Sequence, residues 1–576
     1  MQKVADYIAD FLAAERVPAV FELVGGMITH MLDAVHLRGA TPIISMRHEQ
    51  GAAFAAEGCT RMLGRPAVAM ATSGPGATNL LTGIGSCYFD STPAVFITGQ
   101  VNINEQKGNR RIRQLGFQET DIVSMALPVT KQAWRIEHEN QIAPVFQEAF
   151  RLAVSGRPGP VLIDIPMNIQ RAQISDLAAA VASSLPPSGL LQSDAEEIRK
   201  ALFSARKPMI LAGGGIRGGN AIQLFREFVE AAGIPVVHSL MAVDVLPYNH
   251  PLNAGMIGSY GNRWANLSLS ECDCLLVLGS RLDVRQTGAN TEAFKGEREI
   301  FHIDCEPDEL NNRVQNCQTT VSEIGPALEV LIEAFKIKGE KPGAHASEWI
   351  SYIEGLRSKW PDTSELAGTS GINPNVFMHE ISRAIPEVAA YVTDVGQHQM
   401  WAAQSLELRA DERFLTSGGM GSMGFALPAA IGAATAAKGA PTVVIAGDGG
   451  FQCNIQELET VSNLQLPMKI VIINNECHGM VRQFQESYFE GRYQSTVWGY
   501  SAPDFARVAD AYQIPARTIS TPEEISSGAK WQAEQKGPSL LQVMIPQGAN
   551  AYPKLAFGHG LESMEPFAKP LDMEGT

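Results

Sequence analysis

Several features that mark other classes of protein are missing from this 576-residue chain. No apolar run approaches the roughly 18 residues that a membrane-spanning helix requires, so no membrane partner is expected. Residues 1–6 have neither the basic start nor the apolar core of a signal peptide. No CxxC pair occurs among the eight cysteines, which argues against a zinc site or a disulfide framework. We therefore expect a cytoplasmic protein whose thiols are reduced.

A basic surface is also missing, because 61 acidic residues outnumber 45 basic ones and the net charge is −16. This balance argues against a nucleic-acid partner, since nothing basic matches the charge of a phosphate backbone. It does not exclude an anionic small molecule, because a local cluster can oppose the overall charge. Hydrophobic residues make up 45% and charged residues 18% of the chain, which is typical of a folded globular protein.

Short apolar runs alternate with turn residues and alanine-rich stretches, which is the pattern of parallel α/β layers. The predicted strands are nearly continuous apolar runs, as expected for strands buried on both faces. They cover residues 41–46, 67–72, 94–98, 160–165, 209–212, 235–239, 274–278, 300–303, 390–394, 442–446, 469–473 and 540–545. Helices are predicted at residues 49–63 and 76–88.

The strand predictions fall into three groups, so we expect an α/β fold of three doubly wound parallel-sheet domains. An Ala/Ser/Pro-rich stretch at residues 175–193 has the composition of a linker. The predicted domains span residues 1–175, 190–340 and 370–550, and residues 551–576 form a C-terminal tail.

The most informative motif lies in the third domain, where Gly447-Asp448-Gly449 follows one predicted strand and Asn474-Asn475 follows the next. The carboxyl ends of parallel strands meet at one edge of the sheet, where such folds bind ligands. A carboxylate and an amide oxygen there suit a hard cation such as Mg²⁺, and glycines let the backbone approach phosphates. Gly-Asp-Gly alone is more often only a turn, but the second strand with its Asn pair favours a metal–diphosphate site.

Together these motifs resemble the thiamine-diphosphate signature, and their surroundings resemble acetolactate synthases and related enzymes along nearly the whole chain. The matching stretches are Arg47-His48-Glu49-Gln50, Thr72-Ser73-Gly74-Pro75-Gly76-Ala77-Thr78-Asn79, Gly116-Phe117-Gln118-Glu119-Thr120-Asp121, Gly156-Arg157-Pro158-Gly159-Pro160, Val395-Gly396-Gln397-His398-Gln399-Met400-Trp401 and Gly421-Ser422-Met423-Gly424. The resemblance implies pyrimidine-binding, central and diphosphate-binding domains, in that order. It also implies active sites between subunits, and hence a homodimer or homotetramer.

The resemblance assigns a role to Glu49, which would bind the aminopyrimidine ring of the cofactor and promote its imino form. Without the resemblance, the commoner explanation of Glu49 is a carboxylate at a helix N-terminus, where the macrodipole stabilises it. Gly26, Met27, Phe117 and Gln118 resemble residues that line the reaction chamber. The metal ligands would be Asp448, Asn475 and the backbone carbonyl of Cys477. The predicted cofactor-binding residues are Pro75, Asn79, Val395, Gly396, Gln397, His398, Gly421, Met423, Gly447, Asp448, Gly449, Gly450, Asn475, Cys477, His478, Gly479 and Met480.

Stretches of the central domain resemble the flavin-binding segments of acetolactate synthases, which use FAD without net redox chemistry. Glycines after a strand are weak evidence by themselves, so FAD is a third possible cofactor beside thiamine diphosphate and Mg²⁺. The predicted FAD residues are Gly213, Gly214, Arg281, Arg285 and Asp304.

The chain departs from the acetolactate synthases around the expected acceptor pocket. Met167 stands where the family has a lysine, and Phe484 stands where it has a tryptophan. Arg110, Arg111 and Arg113 add cations close to Phe117, either to meet acceptor phosphates or as a solvated loop edge. In the central domain, Tyr260 replaces a usual histidine, and residues 281–285 have lost one aspartate of the family pattern.

The departures alter the walls around the acceptor and leave the cofactor residues intact. We therefore predict decarboxylation of pyruvate, or another 2-oxo acid, and ligation of the acyl unit to an aldehyde, ketone or 2-oxo acid. The branched-chain sugar carboligases fit these departures. An acetolactate synthase proper, a simple 2-oxo acid decarboxylase and a diketone hydrolase remain alternatives, because they begin with the same cofactor.

Overall fold

The computed structural model describes residues 2–174, 189–336 and 344–572 of the chain. Within them lie three six-stranded, wholly parallel β-sheets, each flanked by helices, which confirms the predicted fold class. The predicted linker at residues 175–193 lies mostly outside the described residues, so the domain boundaries near it stay a prediction. None of the described helices is long and apolar enough to cross a membrane.

The first sheet contains the predicted pyrimidine-side residues, and its strand order is β3-β2-β4-β5-β7-β6, while β1 and β8 form a separate antiparallel pair. The strands are β1 (Gln2–Lys3), β2 (Val20–Leu23), β3 (Ile43–Ser45), β4 (Val68–Ala71), β5 (Val95–Gln100), β6 (Gln132–Arg135), β7 (Val161–Pro166) and β8 (Gln173–Ile174). The helices are α1 (Val4–Ala14), α2 (Thr29–Arg38), α3 (Glu49–Leu63), α4 (Pro75–Asn79), α5 (Leu81–Phe89), α6 (Ile122–Ala126), α7 (Ile142–Val154) and α8 (Met167–Arg171).

The central sheet has the order β11-β10-β9-β12-β13-β14, so its first and fourth strands are neighbours. Strand order reverses at that point, which is where open α/β sheets of this topology bind dinucleotides. The strands are β9 (Pro208–Ala212), β10 (Val236–His238), β11 (Asn253–Met256), β12 (Cys274–Leu278), β13 (Glu299–Asp304) and β14 (Gln318–Val321). The helices are α9 (Gln192–Ser204), α10 (Gly215–Gly218), α11 (Ile222–Ala232), α12 (Arg263–Glu271), α13 (Val284–Thr287), α14 (Thr291–Lys295), α15 (Ile324–Lys336) and α16 (Ala344–Lys359).

The third sheet contains the predicted metal ligands, and its order is β16-β15-β17-β18-β20-β19. The strands are β15 (Ala390–Thr393), β16 (Arg413–Thr416), β17 (Thr442–Gly447), β18 (Met468–Asn474), β19 (Ala516–Ile519), β20 (Ser539–Met544), β21 (Lys554–Leu555) and β22 (Met564–Glu565), of which the last two form a small antiparallel pair. The helices are α17 (Pro374–Ala384), α18 (Gln397–Ser405), α19 (Ala426–Ala436), α20 (Asp448–Gln452), α21 (Leu458–Leu464), α22 (Gly479–Tyr488), α23 (Phe505–Ala511) and α24 (Ile525–Glu534).

The first and third sheets share one topology, since both place their strands in the order second, first, third, fourth, sixth and fifth. Their domains pack directly through α3 and α19, and one continuous apolar core joins them. Two glycines permit this close approach: a Cβ on Gly58 would lie 2.0 Å from the Ala429 carbonyl, and one on Gly432 would lie 1.9 Å from the Ala55 carbonyl. The helix that begins at Glu49 is therefore held rigidly against the diphosphate-side domain.

The segment predicted as a C-terminal tail is packed rather than loose over its described part. Leu555, Leu561 and Met564 are buried in the core beneath the central sheet. The Leu555 N–H donates to the Ser259 carbonyl at 2.8 Å, and the Arg263 guanidinium donates to the Glu565 carbonyl at 3.0 Å. The segment therefore connects the third domain to the central one.

His379, a buried histidine of α17 in the third domain, contacts Asp362, which follows α16. The imidazole of His379 lies 2.8 Å from Asp362 Oδ2 through Nε2 and 2.9 Å from Glu407 Oε1 through Nδ1. Burial lowers the pKa of His379, but the hydrogen bonds and negative charges of Asp362 and Glu407 outweigh it, and the pKa is raised overall. When it is protonated, the imidazole donates to both carboxylates and links the two segments.

We expect the thermal stability of the protein to fall as the pH rises through the raised pKa of His379. A folded-state pKa above the unfolded value of about 6.5 stabilises the fold fully below that value, and this contribution is lost above the folded-state pKa. The His379→Gln variant should be less stable than the wild type at pH 6 and close to it at pH 9. Unfolding midpoints across this range test the prediction, and a constant difference at all pH values would contradict it.

Candidate active site

Three oxygen atoms converge where β17 and β18 end. The side-chain oxygen of Asn475 lies 3.2 Å from Asp448 Oδ1 and 2.8 Å from the carbonyl oxygen of Cys477. Rotating the Asn475 amide by 180° would turn these approaches into hydrogen bonds, but a cation among the three oxygens accounts for them without rotation. The Asn475 Nδ2 atom then keeps its hydrogen bond of 3.3 Å to Gln397 Oε1. Carboxylate, amide and carbonyl oxygens are the ligands that Mg²⁺ prefers.

Asp448 itself is 2% exposed, and burial raises its pKa to about 6 despite the hydrogen bonds that it accepts. One of those bonds comes from the Tyr500 hydroxyl, which donates to Asp448 Oδ2 at 2.8 Å. No group of three His, Cys, Asp or Glu side chains that could hold a metal occurs among the described residues. A cation at this edge would therefore rest on the mixed oxygen set around Asp448.

Glycines beside these oxygens let neighbouring side chains pack closely against the backbone. A Cβ on Gly447 would lie 2.8 Å from His398 Nδ1, one on Gly449 would lie 2.6 Å from the His478 ring, and one on Gly479 would lie 2.0 Å from Gln397 Oε1. A short helix, α20, starts at Asp448 itself, directly after β17. Asp448 thus stands in the first turn of a helix, and the chain of Gly447 to Gly450 wraps around it.

The other predicted diphosphate-side residues come from the loops and helices that surround this edge. Val395 and Gly396 lead into α18, which begins at Gln397. The His398 ring is buried, its Nε2 atom has no hydrogen-bond partner among the described residues, and burial lowers its pKa to about 3. A neutral imidazole with a free nitrogen is thus available to a ligand.

At the corresponding edge of the first sheet, Glu49 begins α3 and is 7% exposed. Its Oε2 atom accepts a hydrogen bond of 3.0 Å from the Asn79 side chain. Its Oε1 atom forms no hydrogen bond with any described residue and lies 3.2 Å from the position of a Cβ on Gly76. The structure thus holds one oxygen of Glu49 and leaves the other free over a glycine.

The predicted chamber residues of the first domain share this edge. The Gly26–Met27 turn follows β2, where the Met27 N–H donates to Thr72 Oγ1 at 3.3 Å and the Gln170 side chain of α8 donates to the Met27 carbonyl at 2.8 Å. Met167 starts the same helix α8. The segments that follow β2, β4 and β7 are therefore joined at this edge of the sheet.

Phe117 and Gln118 form a corner that is held from two directions. Gln118 has a left-handed φ of 66°, and Phe117 is 81% exposed. Glu119 accepts backbone hydrogen bonds from Lys107 at 2.5 Å and Leu115 at 2.7 Å, and so closes the loop between them. The Gln100 side chain donates to the Thr120 carbonyl at 2.7 Å. Glu119 and Gln100, which hold the corner in place, carry no signal in the sequence that marks them as site residues.

The two halves of the predicted site are near each other in one chain, but they are not joined directly. Gln50, next to Glu49, accepts a hydrogen bond of 3.0 Å from Asn454, which follows the diphosphate loop. Glu457, which was not predicted, accepts the backbone N–H groups of Arg47 at 3.0 Å and His48 at 3.1 Å. Among the described residues, no hydrogen bond joins Glu49 to the oxygen cluster around Asp448.

A separate cavity of about 550 Å³ opens at the reversal of strand order in the central sheet. Of the five residues predicted for FAD, Gly214, Arg281, Arg285 and Asp304 line it. Gly213 lies just behind, where a Cβ would come within 2.1 Å of the Gly279 carbonyl. Tyr260 also lines the cavity, which residues of all three domains enclose.

The chain matches family models described as the N-terminal TPP binding domain (residues 2–125), central domain (residues 195–331) and C-terminal TPP binding domain (residues 394–543) of thiamine pyrophosphate enzymes. It is 36% identical over 552 residues to the acetolactate synthase isozyme 2 large subunit of Escherichia coli, covering 95% of this chain and 96% of that protein. It is also 36% identical over 546 residues to the acetolactate synthase large subunit of Lactococcus lactis, and the match covers 94% of this chain and 92% of that protein.

Proposed function

Since the chain belongs to the acetolactate synthase-like family of thiamine-diphosphate enzymes, we propose that it decarboxylates pyruvate or another 2-oxo acid and ligates the acyl unit to an acceptor carbonyl. The acceptor is an aldehyde, a ketone or a second 2-oxo acid. This proposal is supported by the arrangement of polar groups at the edges of two sheets. At one edge, Glu49 has one carboxyl oxygen bound by Asn79 and the other without a hydrogen bond to any described residue. At the other edge, three oxygens converge around Asp448.

The chain's residues fit the cofactor and its metal. Asp448, Asn475 and the Cys477 carbonyl would hold Mg²⁺, and the glycine-lined chain with His398 would face the diphosphate. Glu49 would bind the aminopyrimidine through Oε1 and move a proton there, while Asn79 keeps Oε2 in place. Bound thiamine diphosphate supplies a carbon nucleophile and an electron sink. The exposed Met423 and Phe117 would close around it and exclude water.

The proposed enzyme is a homo-oligomer with active sites between subunits. Apolar side chains predicted to line the site are exposed in the single chain, namely Phe117 at 81%, Met423 at 39% and Phe484 at 39%. Exposed apolar groups at a site that must exclude water are a mark of an interface. A second copy would bury them against its own site residues, and a twofold-symmetric dimer completes two sites at once.

The walls of the acceptor pocket support a substrate other than a second pyruvate. Met167 and Phe484 provide apolar contacts at positions where the family has a lysine and a tryptophan. Arg110, Arg111 and Arg113 are exposed and form no ion pair with a described residue, in a chain whose net charge is −16. These cations suit an acceptor that carries an anionic group beyond its carbonyl.

The function is tested by proton NMR of the protein with thiamine diphosphate, Mg²⁺ and pyruvate, with and without ketone acceptors that do or do not carry a phosphate. Loss of CO₂ with a tertiary alcohol formed only in the presence of a ketone supports the proposal. Acetolactate from pyruvate alone would instead identify an acetolactate synthase, and acetaldehyde alone a decarboxylase. Untouched pyruvate together with cleavage of a diketone would identify a hydrolase.

The cavity in the central domain supports FAD as a further bound cofactor, with a structural role. Its position at the strand-order reversal and its glycine turn, Gly213 to Gly215, suit a dinucleotide. Arg281 and Arg285 on its wall would bind the diphosphate. Asp304, also on the wall, is an acidic residue at the carboxyl end of β13.

Replacing Arg281 with Ala should weaken FAD binding by roughly tenfold or more, because a charged hydrogen bond to phosphate contributes about 1.5–3 kcal/mol. The fluorescence of flavin released from the purified protein, and titration of the flavin-free protein, measure this. The exposed Arg206 of the same domain offers a matched control, Arg206→Ala. Equal affinity in both variants would place the flavin elsewhere or exclude it.

A further inference from the structure

Tyr500 contacts the predicted metal ligand Asp448 and was not part of the sequence-based site. Its hydroxyl donates a hydrogen bond of 2.8 Å to Asp448 Oδ2. The other carboxylate oxygen, Oδ1, is the one that lies 3.2 Å from the Asn475 side-chain oxygen. The two oxygens of Asp448 therefore have different neighbours, one a hydroxyl donor and the other the proposed cation position.

The direction of the tyrosine hydrogen bond is set by its surroundings. The Gln452 side chain donates to the Tyr500 hydroxyl oxygen at 3.3 Å, so the hydroxyl proton is left to point at Asp448. The tyrosine ring packs edge-on against the His478 ring, with centroids 4.4 Å apart. The segment before it is attached to the start of α22, because the His478 N–H donates to the Thr496 carbonyl at 3.0 Å.

We propose that Tyr500 is a positioning residue that makes Asp448 a one-oxygen ligand and so selects Mg²⁺ over larger cations. This inference rests on the proposed function, since it concerns the metal that the cofactor requires. Mg²⁺ demands near-octahedral geometry with single oxygens at short distance, whereas Ca²⁺ accepts about six to eight oxygens and chelating carboxylates. With Oδ2 engaged by Tyr500, the carboxylate offers a cation only Oδ1. Outer partners that orient a ligand in this way are worth about 10–100-fold in metal affinity.

The test is the Tyr500→Phe variant, which keeps the ring against His478 and removes only the hydroxyl. Dissociation constants for Mg²⁺ and Ca²⁺ are measured by calorimetry with the purified full-length protein and saturating thiamine diphosphate, so that the readout is binding and not turnover. We expect the preference for Mg²⁺ over Ca²⁺ to fall by about tenfold or more, mainly through weaker Mg²⁺ binding. The matched control is Tyr493→Phe, a tyrosine of the same segment whose hydroxyl forms no hydrogen bond with any described residue.

Unchanged Mg²⁺ and Ca²⁺ constants in Tyr500→Phe, with a melting temperature equal to that of the wild type, would overturn the role of Tyr500 and leave the proposed function intact. If Tyr500→Phe bound Mg²⁺ and Ca²⁺ more weakly by the same factor, the proposed role of Tyr500 in selecting Mg²⁺ would also be wrong. A wild-type protein that binds neither cation with thiamine diphosphate would instead overturn the metal site of the proposed function. If Tyr500→Phe is unstable, Gln452→Met removes the bond that orients the hydroxyl, and the same fall in preference is expected on a smaller scale.

Discussion

Replacing Glu49 with Gln is expected to lower turnover by about 10²–10⁴-fold, the range that a positioned proton-transfer group contributes. Glutamine has the same shape, and its amide oxygen can still accept the hydrogen bond of 3.0 Å that Asn79 gives to Oε2. It cannot take up or release a proton at the position of Oε1, which no described residue contacts by a hydrogen bond. The loss should therefore appear in chemistry rather than in folding or cofactor binding.

Two measurements separate these effects. Exchange of the cofactor's thiazolium C2 proton into D₂O, followed by NMR, should slow in parallel with turnover, while calorimetry should give a dissociation constant for thiamine diphosphate within a few-fold of the wild type. The Glu15→Gln variant makes the same chemical change at an exposed site after α1 and should behave as the wild type. Normal exchange in Glu49→Gln would remove Glu49 from the proposed mechanism.

The Asp448→Asn variant is expected to lose the cofactor site itself. The substitution keeps the shape of the side chain and removes the only carboxylate among the three converging oxygens. Mg²⁺ affinity should fall by more than the roughly 10–100-fold that the loss of an outer partner costs. Because a ligand that binds only the folded state stabilises it, the wild type should melt at a higher temperature with Mg²⁺ and thiamine diphosphate than without them.

The rise in melting temperature caused by Mg²⁺ and thiamine diphosphate should be absent in Asp448→Asn. Treatment of the wild type with EDTA should abolish it as well. The control is Asp504→Asn, which removes the same charge from an exposed helix N-cap where asparagine caps as well as aspartate. The Asp504→Asn variant should keep both the full rise in melting temperature and full activity. A normal shift in Asp448→Asn would contradict the assignment of the metal to the end of β17.

Most central strands could be predicted from the sequence because a strand buried on both faces is usually apolar throughout. The central strand β2 was missed, since the buried Glu22 interrupts its apolar run. The predictions at residues 274–278 and 442–446 agree with β12 and β17 to within one residue. Most strands that the patterns missed lie at sheet edges, such as β14, with the sequence Gln-Thr-Thr-Val, and β16, with Arg-Phe-Leu-Thr. An edge strand has one neighbour instead of two, so it carries polar residues and loses the pattern.

Those residues of the candidate site that lie directly after a predicted strand could be identified from the local sequence. Glu49 and Asp448 each follow a strand closely, and the structure places each at the carboxyl-end edge of its sheet. Tyr500 and Glu457 were missed because their partners lie 52 and 410 positions away along the chain, and an isolated tyrosine or glutamate carries no local signal. Their importance is visible only once distant segments meet.

By itself, the sequence determined the α/β class, most of the buried strands, the position of Glu49 at the start of α3 and the oxygen-rich end of the third sheet. These features follow from local periodicity and from the geometry of parallel strands, which short stretches of chain already encode. Only the tertiary structure decided which Asp448 oxygen accepts the Tyr500 hydroxyl, that the C-terminal segment packs on the central domain, and that a cavity opens where strand order reverses. Those features depend on contacts between residues far apart in the chain, which no local pattern records.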